Sequence, residues 1–105
     1  MNETNKILEN YVIIPEFLRM FKVSMTAKII YSVIRTETMR QNLVDEQGRL
    51  FVEITSRELA EFIHVPTSSV NMHLRTLSDV GLIERKPRTN RIYPKKPVSG
   101  EKKTI

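Results

Sequence analysis

The sequence predicts an α+β domain, a winged helix-turn-helix with a small three-stranded antiparallel sheet, and three observations carry that prediction. Two short amphipathic helical patterns meet across His64-Val65-Pro66. After them comes a basic segment in which two β-prone runs flank the turn residues Pro87-Arg88-Thr89-Asn90. A further β-prone run, Leu50-Phe51-Val52-Glu53-Ile54, precedes the helices and supplies the third strand, which an otherwise marginal two-stranded hairpin needs.

In chain order, residues 1–10 are polar and read as a flexible N-terminus, as untied termini usually are. Residues 11–94 form the winged-helix domain, and residues 95–105 a basic flexible tail. Tyr11-Val12-Ile13-Ile14 is β-prone and is read as a short edge strand or an extended arm. Pro15 can open a helix of one or two turns carrying Phe17, Leu18 and Met20, with Phe21 joining their cluster. From Ser24 or Met25 to about Arg40, Ala27, Ile30, Tyr31 and Ile34 recur at helical spacing. Val33 broadens the stripe and Met39 extends it, making this the scaffold helix. Asp45-Glu46-Gln47-Gly48 then reads as a turn, because aspartate bonds nearby backbone and glycine tolerates positive φ.

The helix-turn-helix is the most informative stretch. Thr55 or Ser56 can cap its first helix, and Thr55-Ser56-Arg57-Glu58 has capping-box spacing. Leu59, Phe62 and Ile63 fall on one face at i, i+3, i+4. Proline disfavours α geometry in the preceding residue yet suits the first turn of a new helix, so Val65-Pro66 marks a tight turn. On the second helix Val70, Leu74 and Leu77 line one side and leave Thr67, Ser68, Asn71, Met72 and Arg75 on the others. Gly81 suits the left-handed residue that often ends a helix.

Length and charge restrict function. A chain of 105 residues holds one domain with one modest core. No apolar run approaches the roughly 20 residues that span a bilayer, and no signal segment is evident; a cytoplasmic, DNA-associated protein with no membrane partner is expected. With no cysteine, disulfides and thiolate metal sites are excluded. The net charge is +5, but its distribution says more. From Arg85 to Lys103 eight lysines and arginines face one acid, while the first 84 residues hold nine bases and eleven acids. Such asymmetry fits a polyanion met by one end or face, or a tail that only keeps the chain soluble.

Double-stranded DNA is the partner these features suit. The second helix of such a pair enters the major groove. Asn71 can bond adenine through two parallel hydrogen bonds, Thr67 and Ser68 can reach base edges or phosphates, and Met72 offers an apolar surface to a thymine methyl or to a protein partner. Arg75, one turn beyond Asn71, is expected on a phosphate or a guanine. Ser69 lies near the helix start, where its hydroxyl or neighbouring N–H groups can hold a phosphate. Wing and phosphate contacts are expected from Arg85, Lys86, Arg88, Arg91, Lys95 and Lys96, with Arg88 at the tip foremost. Alternation points Arg85 and Lys86 to opposite sides, so the two cannot contribute equally.

No catalytic, cofactor or metal site is expected. His64 and His73 are nine positions apart, without an HExxH arrangement or paired carboxylates. His64 reads as the cap of the preceding helix and His73 as a boundary-packing residue. There is no cysteine nucleophile and no Gly-rich phosphate loop.

Three strings, YVIIPEFLRMFKVSMTAKIIYSVIR, NLVDEQGRLFVEITSRELAEFI and VPTSSVNMHLRTLSDVGLIERK, together resemble the N-terminal domain of the RepA_N family of plasmid replication initiators, over about Tyr11 to Pro94. The resemblance implies a winged helix that binds repeated sites at a plasmid origin, often as a dimer. Thr67, Ser68, Asn71 and Arg75 match its recognition-helix positions, and Arg88 and Arg91 its wing. Family initiators are longer, and replisome recruitment would require regions absent from these 105 residues. A transcriptional regulator of plasmid or mobile-element genes, and a winged helix serving protein interaction, are the alternative expectations. A homodimer would use the Tyr11–Ile14 arm and the Phe17–Phe21 cluster, residues that could equally cover the monomer's own core.

Overall fold

The computed structural model describes residues 15–95; the expectations placed on residues 1–14 and on Lys96 onward, the Tyr11–Ile14 arm included, lie outside them. Pro15 opens a 3-10 turn, Glu16–Met20, which buries Leu18 and leaves Met20 exposed. Helix α1, Met25–Gln41, begins at Ser24, whose hydroxyl accepts the Ala27 N–H. It ends at Asn42, which adopts φ 55°, a conformation asparagine tolerates better than most residues.

That reversal at Asn42 accounts for one departure from the sequence reading. The sheet has four strands, not three: β1 (Leu43–Val44), β2 (Leu50–Glu53), β3 (Ile83–Arg85) and β4 (Arg91–Pro94), all antiparallel in the order β1-β2-β4-β3. The left-handed residue turns the chain back so that Leu43 and Val44 pair with Phe51 and Leu50. The Asp45–Gly48 turn thereby becomes the loop of a hairpin. Asp45 Oδ1 accepts from the Gln47 and Arg49 amides, both at 2.9 Å, while Oδ2 accepts from the Tyr93 hydroxyl. These bonds, led by that from Arg49 N–H, hold the Asp45 carboxyl below its usual range.

Helix α2, Ser56–Ile63, carries the complete capping box: Thr55 Oγ1 accepts from Glu58 N–H and the Glu58 carboxylate from Thr55 N–H. Its buried face differs from expectation. Leu59 and Ala60 are buried and Ile63 packs beside them, whereas Phe62 is 43% exposed. His64 ends the helix at φ 63°, and Val65 N–H closes back onto Ala60 O at 3.1 Å, the bond of a Schellman-type stop.

Helix α3, Thr67–Asp79, buries Val70, Leu74 and Leu77. Gly81, at φ 83°, completes a second such stop, with Leu82 N–H on Leu77 O and Gly81 N–H on Ser78 O. Leu77 and Leu82, joined by this bond, are both buried, so the helix end and the start of the wing are fixed together.

The core joins Leu18, the inner faces of the three helices, Leu82 just after α3, and Val52, Ile83 and Ile92 from the sheet. Tyr31 spans it. Its ring meets Phe17 edge-on, and its hydroxyl donates to Lys95 O, tying the end of β4 to α1. Burial pushes the Tyr31 hydroxyl up to about 12, against the opposing charge of Arg35. Since the folded value lies above the ordinary 10.0, the neutral form contributes its full stability below about pH 10 and loses it as pH rises towards 12. Tyr31→Phe is therefore expected to cost about 1 kcal/mol near pH 8 through the lost hydrogen bond. The deficit should close between pH 10 and pH 12, read as converging urea midpoints of the two proteins.

Candidate nucleic-acid interface

The buried stripe of α3 fixes which of its residues face outward. With Val70, Leu74 and Leu77 held in the core, Thr67, Ser68, Asn71, Met72 and Arg75 are all exposed, Met72 by 57%. They form a polar surface with one apolar element on a helix anchored from behind. Ser69 is half-buried, and its N–H is taken by Pro66 O at 3.0 Å. Ser69 thus has only its hydroxyl to offer a phosphate.

The wing lies beside this surface. Arg85 pairs with Ile92 across β3 and β4, and directly opposed residues share a face of the sheet. Because Ile92 belongs to the core, Arg85 lies on the helix-facing side. A narrow cavity of about 50 Å³, lined by Ser56, Leu74, Arg85 and Asn90 among others, brings the wing root against α2 and α3. Lys86 and Arg88 are exposed at the tip. There Lys86-Pro87-Arg88-Thr89 closes through Thr89 N–H on Lys86 O at 3.3 Å, and Thr89 Oγ1 also bonds Lys86 O and Arg91 N–H.

Arg91 and Lys95 are directed elsewhere. The Arg91 guanidinium sits 4.2 Å from the Phe51 ring centroid and 3.9 Å from the Glu53 carboxylate. Lys95 Nζ lies 3.9 Å from Glu84, which also bonds Arg49 at 3.0 Å. Arg49 in turn covers the Tyr93 ring at 4.2 Å. Phe51 and Tyr93 thus form a small cluster on the outer face of the sheet, roofed by arginines. Of the expected wing cations, Arg85 lies beside α3; Lys86 lines a recess with Asp45, Glu46 and Tyr93 on the opposite side of the sheet, Arg88 is exposed at the tip, the Arg91 guanidinium is turned to Phe51 and Glu53, and Lys96 lies outside the described residues.

Arg88 adopts φ 65°, where a side chain costs roughly 1 kcal/mol and glycine costs little. Replacing it with glycine is expected to stabilise the fold slightly, by about 0.5 kcal/mol. Affinity for every duplex should fall meanwhile, with about one unit lost from the slope of log K against log salt. Denaturant unfolding and a salt titration read the two effects separately.

Sequence reasoning overlooked Ser56 as a site residue. Its hydroxyl donates to Asn71 Oδ1, linking α2 to the outward face of α3. Thr55 and Ser56 were interchangeable as caps by residue type; with Thr55 in the capping box, Ser56 is left for another bond. His64 and His73 lie on α2's end and on α3, and among the described residues no group of three histidine or acidic side chains is placed to hold a metal ion. No helix among them is long and apolar enough to cross a membrane.

A helix-turn-helix whose second helix turns a polar face outward beside a β-hairpin defines the winged helix-turn-helix class. Within it, the chain belongs to the family of replication initiator protein A N-termini, whose model matches residues 10–105. Several solved structures share the fold at 20% identity. One, described as an MDR initiator, aligns with a TM-score of 0.72 over 90% of this chain and 84% of its own. Another, described as the N-terminal domain of a DNA binding protein, gives 0.69 over 90% and 81%. A third, described as a Rep-DNA complex, gives 0.72 over 94% and 84%. No curated protein matches the chain.

Proposed function

We propose that this chain binds double-stranded DNA sequence-specifically at repeated sites of a plasmid origin, as the DNA-recognising part of replication initiation. The observation that carries the proposal is the exposed polar face of α3, fixed by a buried stripe, with Arg85 of the wing beside it. Family membership directs it towards origins, and the similar fold described as a Rep-DNA complex is consistent with DNA as the partner.

In this reading Thr67, Ser68, Asn71, Met72 and Arg75 meet base edges, while Ser69, Arg85 and Arg88 hold the backbone and Lys86, on the other side of the wing, adds to its charge. Arg91, Lys95 and Lys96 contribute through long-range attraction, the mode least dependent on where a guanidinium or ammonium points. One recognition helix reads only a few base pairs, too few to single out an origin among the competing sites of a genome. Repeated sites, occupied by a homodimer, supply the missing information. The proposal assigns the chain a binding role and no catalysis.

Selection of bound duplexes from a random library, followed by titration of the winner at two salt concentrations, tests this reading. Spaced direct repeats with steep salt dependence are expected. A single palindrome of promoter type would replace the initiator by a transcriptional regulator. Absence of any enriched sequence would overturn duplex recognition and leave a protein-interaction module.

A further inference from the structure

We propose that Ser56 is a positioning residue for base reading, holding the amide of Asn71 in the plane it needs before DNA arrives. The inference rests on the proposed role of Asn71 at a base edge. Its basis is the hydrogen bond from the Ser56 hydroxyl to Asn71 Oδ1, across 15 positions of sequence.

Both ends of that bond are rigidly mounted. Ser56 is the first residue of α2, directly after the capping box, and is half-buried beside Leu74, Arg85 and Asn90. Asn71 follows Val70, which is fully buried, and lies one turn before Leu74. The Thr55 hydroxyl satisfies the helix N-terminus, so Ser56 is not required as the cap. An asparagine amide has two lone pairs on its oxygen and two N–H donors. Ser56 occupies one lone pair and leaves the other, with both donors, for a base. Adenine needs one acceptor and one donor, side by side, for its N6–H and N7. The arrangement is therefore compatible with adenine recognition and restrains the amide in advance.

A free asparagine on an exposed helix face samples several rotamers, and binding must order it at an entropic cost. It can also turn its amide over and present the donor where the acceptor belongs. Restraint from Ser56 reduces both losses. The benefit falls on one base pair and not on the phosphates, so it acts on specificity.

The test uses the full 105-residue chain and a duplex obtained by selection, together with duplexes altered one base pair at a time. Asn71→Ala should flatten discrimination at one position. Ser56→Ala should reduce discrimination at that same position by about fivefold, with the salt slope and thermal midpoint unchanged. Ser56→Thr, which keeps the hydroxyl, should restore it, and the double variant should be no worse than Asn71→Ala alone. Should Ser56→Ala perturb folding, Ser56→Gly removes the same hydroxyl and must show the same loss at that position. If Asn71→Ala flattens the position and Ser56→Ala does not, the positioning role is overturned. A uniform loss on all duplexes with an unchanged salt slope also overturns it, making Ser56 a phosphate contact, because a neutral hydroxyl displaces no counterion. If Asn71→Ala itself changes no position, the base-reading role of Asn71 is what has failed.

Discussion

Asn71→Ala is expected to remove roughly 1–3 kcal/mol of discrimination at a single base pair while leaving binding to an arbitrary duplex nearly unchanged. Asn71 is exposed on α3, about two helical turns before the helix ends at Asp79, and its backbone is fixed by the buried Val70 and Leu74. Truncation leaves the core and the wing cations intact, so the electrostatic part of affinity persists. Competition between the selected duplex and its single-substituted relatives measures the loss directly. Arg75→Ala, assayed in the same way, decides between its two candidate roles. A guanine contact gives a loss confined to one position, whereas a phosphate contact gives a uniform loss and a smaller salt slope. A uniform loss for Asn71→Ala would remove it from the base-reading set.

Much of the scaffold was legible because it is periodic. The stripe Ala27, Ile30, Tyr31, Ile34 and the stripe Val70, Leu74, Leu77 are buried as helical spacing demands. The stops at His64 and Gly81 follow from local chemistry, and the structure places a left-handed residue at each. Strand β1 was not legible, since two residues have no measurable period and its pairing depends on the turn at Asn42. Phe62 was misplaced for a related reason. In an eight-residue helix an apolar face centred on Leu59 and Ile63 fits either neighbour, and tertiary packing chose the small Ala60 for the inside.

The candidate site divides along the same line. Outward residues of α3 could be read as the complement of its buried stripe. Alternation separated Arg85 from Lys86 but could not say which side met the helices; that required the pairing of Arg85 with Ile92. Arg91 looked like a free wing cation because nothing near it in sequence is acidic or aromatic except Tyr93. Its partners Phe51 and Glu53 come from β2, about 40 positions earlier. The Ser56–Asn71 bond has no sequence signature at all, since serine and asparagine at such a separation are common and only the α2–α3 packing brings them together.

Leu74→Ala should have the largest effect on the fold, a loss of about 3 kcal/mol. Leu74 is 1% exposed in the core and also lines the small cavity between α2 and the wing, so truncation opens space where three elements meet. Alanine is an excellent helix former, and the loss would therefore be one of packing and not of helix propensity. Small domains hold only about 5–15 kcal/mol in total, so the denaturant midpoint should fall steeply at a nearly constant m value. Met72, two residues away, faces outward, and its replacement by alanine should leave stability within about 0.5 kcal/mol while altering binding. The pair separates folding from recognition on one helix. Duplex binds the folded state alone and, at 100 times its dissociation constant, returns about 2.7 kcal/mol; saturating duplex should thus recover most of the thermal midpoint lost by Leu74→Ala. Failure to recover, in a variant that remains folded without DNA, would mean that Leu74 shapes the reading surface itself and not only the core behind it.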